Sequence, residues 1–179
     1  MKRRLFAGAA ASAAAIVLVC AVPARAAWID PPRSAAQPRK LAPYVSSPIS
    51  VIDKMLEAAS LRGGETLYDL GCGDGRIVMA AAKNFGAHAV GVEISDSLAQ
   101  RARQQALTLG LQDQVRIITA DMMGVDISSA NVVSLYLMTE ANDTLKPKLE
   151  RELKPGSRVE KVELHNHPYT IYVYLMPQR

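Results

Sequence analysis

Apolar residues recur along this chain with two alternating periods. Ile49, Ile52, Met55, Leu56 and Ala59 fall three or four apart, which predicts an amphipathic helix running to about Leu61 and stopping at Gly63-Gly64. Met55 is read as core rather than ligand contact. Ser47-Pro48 reads as an N-cap followed by proline in the first turn. Short apolar runs then alternate with helix-competent stretches, predicting strands over 66–70, 88–92, 115–119 and 131–137, and helices over 75–84, 95–109 and 140–153. Ser95 is the expected cap of the middle helix and Gly110 its stop. Two further β-type runs, 158–164 and 170–176, close the chain. Alternating strands and helices, with the strands apolar throughout, predict an α/β fold whose mostly parallel sheet is covered on both faces. Ligands in such sheets bind beyond the strand carboxyl ends, where the strand order reverses.

One junction carries candidate chemistry. The strand Thr66-Leu67-Tyr68 ends in an acid, Asp69, and a turn follows in which Gly71, Gly73 and Gly75 alternate with other residues. Glycines there let the backbone turn sharply and lie close to a ligand, and the next helix points free N–H groups into the same crevice. A dinucleotide fingerprint places its third glycine one residue later, where this chain has Arg76. Asp69 and Asp74 would repel a pyrophosphate but attract a ligand carrying an ammonium and a sulfonium. The pattern therefore favours S-adenosylmethionine over a dinucleotide.

Two more acids end the next two strands. Glu93 closes the run from His88, 24 residues after Asp69, where a carboxylate accepts from both hydroxyls of a ribose. Asp121 closes the run from Val115, and ionised Asp, an acceptor only, suits an exocyclic adenine amino group. Each acid alone reads equally well as a helix cap. Three at successive strand ends form a constellation.

The stretch Tyr68 to Arg76, the strand end Gly91-Val-Glu-Ile94 and Ala120-Asp121-Met122 resemble the first three motifs of class I S-adenosylmethionine-dependent methyltransferases. More narrowly, Ala42-Pro-Tyr-Val-Ser-Ser-Pro48, Leu135 to Asn142 and Leu145-Lys-Pro-Lys-Leu149 resemble the bacterial relatives of the mitochondrial lysine methyltransferases that modify the ATP synthase c subunit and the adenine nucleotide translocase. The resemblance runs from about Pro43 to Gly156. It implies a Rossmann-like methyltransferase sandwich, with Tyr44, Asp69, Gly71, Gly73, Asp74, Glu93, Ile94, Asp121 and Met122 around the cofactor. Tyr136 to Asn142 would border the acceptor, with Tyr136 and Asn142 as its candidate residues. Thr139 stands where the group usually has Pro. The tail is shorter than the family pattern by about ten residues or more, leaving a shortened C-terminal hairpin and an acceptor wall that is reduced.

Composition changes this picture at the N-terminus. The formal charge of +4 arises from Lys2, Arg3, Arg4 and Arg25; beyond residue 26, 17 bases face 17 acids. That balance argues against nucleic acid as a partner. Residues 1–26, with a basic start, the apolar run Leu5–Val22 and Ala24-Arg25-Ala26, read as a signal peptide or membrane anchor. Arg3-Arg4-Leu5-Phe6 has twin-arginine character, and an ordinary secretory signal is the alternative. Residues 27–47, rich in Pro, Ala and Ser, read as a tether, and 48–179 as the cofactor-binding domain. An exported or membrane-anchored location on the periplasmic side follows, with catalysis in the cytoplasm left open.

Cysteines and histidines add little. Only Cys72 remains beyond the leader, so no intramolecular disulfide is expected after cleavage. His165 and His167 lack further ligands at metal spacing and read as a solvated turn before Pro168; no metal site is expected. The expected activity is methyl transfer to a protein lysine of a membrane-associated protein. The alternatives are a small-molecule methyltransferase and a cofactor-binding domain with reduced or lost catalysis. A nicotinamide-dependent reductase is the rival within the same broad fold.

Overall fold

The computed structural model describes residues 47–163 and 169–178. The leader, the tether, Tyr44, His165 and His167 therefore lie outside the described residues. Eleven elements follow in chain order: α1 (Ile49–Ala58), β1 (Thr66–Leu70), α2 (Arg76–Phe85), β2 (His88–Glu93), α3 (Asp96–Thr108), β3 (Val115–Thr119), a 3-10 turn (Met122–Gly124), β4 (Val132–Leu135), α4 (Thr139–Glu152), β5 (Arg158–Glu163) and β6 (Thr170–Leu175).

The six strands form one sheet in the order β3-β2-β1-β4-β5-β6. All neighbours pair in parallel except β5 and β6, whose antiparallel ladder runs from Arg158↔Leu175 to Glu163↔Thr170. The chain moves outward from β1 through β2 to β3, then returns to place β4 on the other side of β1. The strand order thus reverses at β1, and the glycine loop leaves β1 at that place.

Two cores flank the sheet. On one face Leu67, Ala89, Ile117, Val132 and Val162 pack against apolar stripes of α1, α2 and α3, among them Met55, Val78 and Ala102. Burying each large aliphatic side chain contributes about 1.5–3 kcal/mol, so these stripes hold the helices down far better than helix propensity does. On the other face Tyr68, Leu70, Val92, Val133, Leu135 and Val159 meet α4 through Ala141, Leu145 and Leu149, and meet the loop residues Val125 and Ile127. Lys148 crosses this second core with its Nζ donating to the Val125 carbonyl at 2.6 Å and pairing with Glu152 at 2.6 Å.

Two expected caps differ. Pro48, not Ser47, holds the cap position of α1. The Ser47 carbonyl instead accepts from Arg76 Nη1 at 2.9 Å, which ties the start of α1 to the glycine loop. Ser95 occupies the cap position of α3, but its side chain makes no capping bond there and pairs with the Ser97 hydroxyl. At the far end of α1, Arg158 donates to the carbonyls of Ala59 and Ser60 and pairs with Glu65, so the helix terminus is pinned to β5.

Candidate functional site

The loop 71–75 is built by backbone conformations that side chains resist. Gly71, Gly73 and Gly75 all have φ between 56° and 88°, the left-handed region. Gly71 and Cys72 donate their N–H groups to the Val92 carbonyl at 2.8 and 3.0 Å, stitching the loop onto β2. A Cβ at Gly71 would lie 3.0 Å from Leu137 Cδ2 and 3.8 Å from Met122 Cε, so the loop passes between the ends of β3 and β4. Beneath it, Cys72 fills the space over Gly91, where a Cβ would come within 2.6 Å of the Cys72 sulfur. Cys72 is thus a packing residue, and burial pushes its thiol well above the usual range, away from nucleophilic use.

The four acids expected from sequence occupy one edge of the sheet and differ in environment. Asp69 is buried at the floor of a small cleft that it lines with Ser47, Gly71, Asp74, Arg76 and Tyr136. Its Oδ2 reaches no hydrogen-bond partner among the described residues. Burial raises its carboxyl well above the usual carboxylate range, with the charges of Glu160 and Glu93 adding to the shift and the Ser134 hydroxyl opposing it. Glu93 accepts from Gly73 N at 2.9 Å and from Ser95 N at 2.8 Å, so one carboxylate positions both the glycine loop and the start of α3. Two backbone bonds leave a carboxylate further lone pairs for a ligand. Asp121 caps the 3-10 turn, accepting from Met123 N at 2.9 Å. Asp74 is held by Arg76 through bonds of 3.0 and 2.6 Å, so its charge is largely compensated, an ion pair the spacing alone did not reveal. Ile94 follows Glu93 on the edge, and Met122 packs against the second core beside Gly71.

On the acceptor side the two candidates separate. Tyr136, at the end of β4, lines the same cleft as Asp69. Burial and a hydrogen bond to Tyr169 push its hydroxyl up to about 12, so it stays protonated at neutral pH. Tyr169, which no sequence motif marks, sits just before β6. Asn142, in contrast, lies in α4, donates to the Leu137 carbonyl at 3.2 Å, and lines a groove of about 290 Å³ with Leu135, Lys161 and Tyr174. That groove is on the opposite face of the sheet from Asp69. Missed entirely from sequence was Glu160 on β5, fully buried and with neither carboxyl oxygen partnered among the described residues.

A left-handed glycine loop after β1, acids at the ends of β1, β2 and β3, and a sheet reversing at β1 define a class I S-adenosylmethionine-binding methyltransferase fold. The residues fit that cofactor: the orphaned Asp69 oxygen is a ready acceptor for an ammonium, and the loop backbone is bare beside it. Comparison with known proteins agrees. The family model described as ANTKMT methyltransferase domain matches residues 69–163. A protein-lysine N-methyltransferase of Saccharolobus islandicus (strain REY15A) is 42% identical over 150 residues, covering 75% of this chain and 93% of that protein. The human lysine N-methyltransferase of the ATP synthase c subunit is 34% identical over 117 residues, covering 65% of this chain and 49% of that protein, so the match spans about half the human protein's length. Among solved structures, an RNA methyltransferase from Salinibacter ruber in complex with S-adenosyl-L-homocysteine superposes with a TM-score of 0.72 at 38% identity, covering 75% of this chain and 95% of that one. The chain belongs to the ANTKMT methyltransferase family, and it is an S-adenosylmethionine-dependent methyltransferase.

Proposed function

We propose that this protein transfers a methyl group to a lysine side chain of a protein, and that its acceptor is membrane-associated. The observation that carries the lysine reading is the 42% identity to the Saccharolobus lysine methyltransferase over nearly all of that protein's length. The membrane part rests on the relatives named for the ATP synthase c subunit and on residues 1–26, read as a signal peptide or anchor ahead of a tether over 27–47 and a catalytic domain over 48–179. Export or anchoring at the periplasmic side is part of the same proposal.

S-adenosylmethionine, when bound, supplies an electrophilic methyl group on a sulfonium. What the chain contributes is position and charge. Asp69 at the cleft floor would hold the ammonium, Glu93 the ribose hydroxyls, and Asp121 the adenine amino group, with Gly71 and Gly73 giving the backbone its close approach. Methyl transfer is an in-line displacement, so aligning donor and acceptor and excluding water supply most of the acceleration. The acceptor amine must arrive unprotonated. Tyr136 shares a hydrogen bond with the Tyr169 hydroxyl and keeps oxygen lone pairs for an amine N–H, a role in orientation rather than proton removal. No side chain is assigned as the base.

The Salinibacter relative is described as an RNA methyltransferase, which favours a second reading, methylation of RNA. The equal count of bases and acids beyond residue 26 speaks against it, because phosphate-binding surfaces are basic. The short tail also keeps a third outcome in view, cofactor binding without turnover. Mass spectrometry of membrane proteins from cells with and without this protein decides among them. A lysine that loses methyl mass in the deletion strain supports the proposal; an unchanged membrane proteome with methylated RNA, or with no methylated product, removes it.

A further inference from the structure

Glu160 lies fully buried on β5, an interior strand next to the sheet edge, an unusual place for an acid. Its register explains what it touches: Asp69 on β1 stands opposite Ser134 on β4, and Ser134 stands opposite Glu160 on β5. Registered residues of neighbouring strands share a face about 4.8 Å apart, so the three side chains form one row beneath the cofactor cleft. All three are buried, at 1%, 0% and 0% exposure. Asp69 Oδ2, Ser134 Oγ and both Glu160 oxygens lack a hydrogen bond of good geometry among the described residues. A buried, unpartnered carboxylate costs several kcal/mol. Such a row persists only if it carries fewer charges than its two acids allow.

The surroundings offer little compensation. α1 presents Val51, Ile52, Met55 and Leu56, without charge, and β6 sets Val173 opposite Glu160. Among the described residues, the cation acting on Glu160 is Arg158, two residues back on β5. Its guanidinium is already committed to Ala59, Ser60 and Glu65. On the Asp69 side the charged neighbours are Glu93, Asp74 and Arg76, whose guanidinium is bonded to Asp74 and to the Ser47 carbonyl, while the Cys72 thiol and the Tyr136 hydroxyl are neutral. Burial, relieved only in part by the Ser134 hydroxyl and Arg158, moves the Glu160 carboxyl up to about 7.

We propose that Asp69, Ser134 and Glu160 form a proton-sharing unit under the cleft, and that binding of S-adenosylmethionine is coupled to loss of a proton from it. With no ligand ammonium at Asp69 the two acids retain a proton between them. An ammonium at Asp69 favours the doubly charged form; the carboxyl O–H bond breaks, its electron pair stays on oxygen, and the proton leaves to solvent. Glu160 thereby becomes a positioning residue for the cofactor, acting through Asp69. This coupling rests on the cofactor site and is independent of which acceptor is methylated.

Calorimetric titration of the full chain with S-adenosylmethionine, at pH 6.5 in buffers of different ionisation enthalpy, counts the protons released. At that pH the ligand's own α-amino group, with an ordinary value near 7.7–8.0, stays protonated and does not contribute. The wild-type protein is expected to release about half to one proton, with affinity rising up to about tenfold per pH unit between pH 5.5 and 6.5. In Glu160→Gln the release falls below half the wild-type value, while the surface control Glu150→Gln matches wild type. Release of no proton by the wild type, or equal release by Glu160→Gln, overturns the coupling while leaving the methyltransferase assignment standing. Should the glutamine variant fail to fold, a wild-type affinity that is flat from pH 5.5 to 8 overturns it equally well.

Discussion

Replacing Glu160 by Gln should stabilise the folded protein at alkaline pH and do little in acid. The carboxyl titrates at about 7 in the folded chain and near 4.5 when exposed by unfolding. Between those values the native state binds more protons than the unfolded state, so stability falls as pH rises through this window. Each pH unit of difference is worth about 1.36 kcal/mol, which makes the loss about 3 kcal/mol once the pH exceeds 8. Glutamine keeps the shape and removes the charge, so most of that loss should be recovered. Removing the charge beside Asp69 adds to the gain, since the Glu160 charge is the second-largest cause of the Asp69 shift. Urea unfolding without cofactor, followed by far-ultraviolet circular dichroism, measures both proteins at pH 5 and pH 8. The variant should exceed wild type by about 2–3 kcal/mol at pH 8 and lie within about 1 kcal/mol of it at pH 5, with similar m values. An equal difference at both pH values, or a wild type that is the more stable at pH 8, refutes the reasoning.

Other perturbations follow from the same contacts. Gly91→Ala drives a Cβ to 2.6 Å from Cys72 Sγ and 2.9 Å from Ile117 Cδ1, so it should lower stability by about 1–3 kcal/mol and distort the glycine loop, read as a lower melting temperature together with weaker cofactor binding. Glu93→Ala strips the acceptor from Gly73 N and Ser95 N, loosening the loop, and removes the two bonds proposed to the ribose hydroxyls, which at about 1.5–3 kcal/mol each should reduce S-adenosylmethionine affinity in calorimetry by at least about a hundredfold. Lys148→Ala leaves the Val125 carbonyl unpartnered inside the second core and should cost about 3 kcal/mol in denaturant unfolding; Lys146→Ala, whose 3.9 Å pair with Glu150 is exposed, should change stability by less than about 0.5 kcal/mol.

Much of this molecule was legible in its residues because two signals reinforced each other. Continuous apolar strands separated by helical stripes dictate a parallel sheet, and a parallel sheet places strand-end residues such as Asp69, Glu93 and Asp121 on one edge. Element boundaries shifted by up to three residues; Ser47 gives its carbonyl to the Arg76 guanidinium through a tertiary contact, and Ser95 gives its N–H to Glu93 two residues back while its hydroxyl pairs with that of Ser97. Asp74 looked like a free charge since nothing in a glycine loop announces that Arg76 folds back onto it. Glu160 was invisible for a different reason. Arg158 to Glu163 carries only two apolar residues, Val159 and Val162, set three apart among four charged ones, so its pattern marks no face as buried. Flanked by β4 and β6 and roofed by α1, that strand buries Glu160 together with Val159 and Val162. Asn142 was grouped with Tyr136 by the family resemblance of 135–142, but α4 turns it to the other side of the sheet.

The most direct test is a crystal structure of the chain bound to S-adenosyl-L-homocysteine. The adenosyl group should lie against the 71–75 loop, with its ribose hydroxyls on Glu93, its adenine amino group at Asp121 and the ligand's ammonium over Asp69. A ligand seated elsewhere, or carboxylates turned away from it, would contradict the proposed cofactor site.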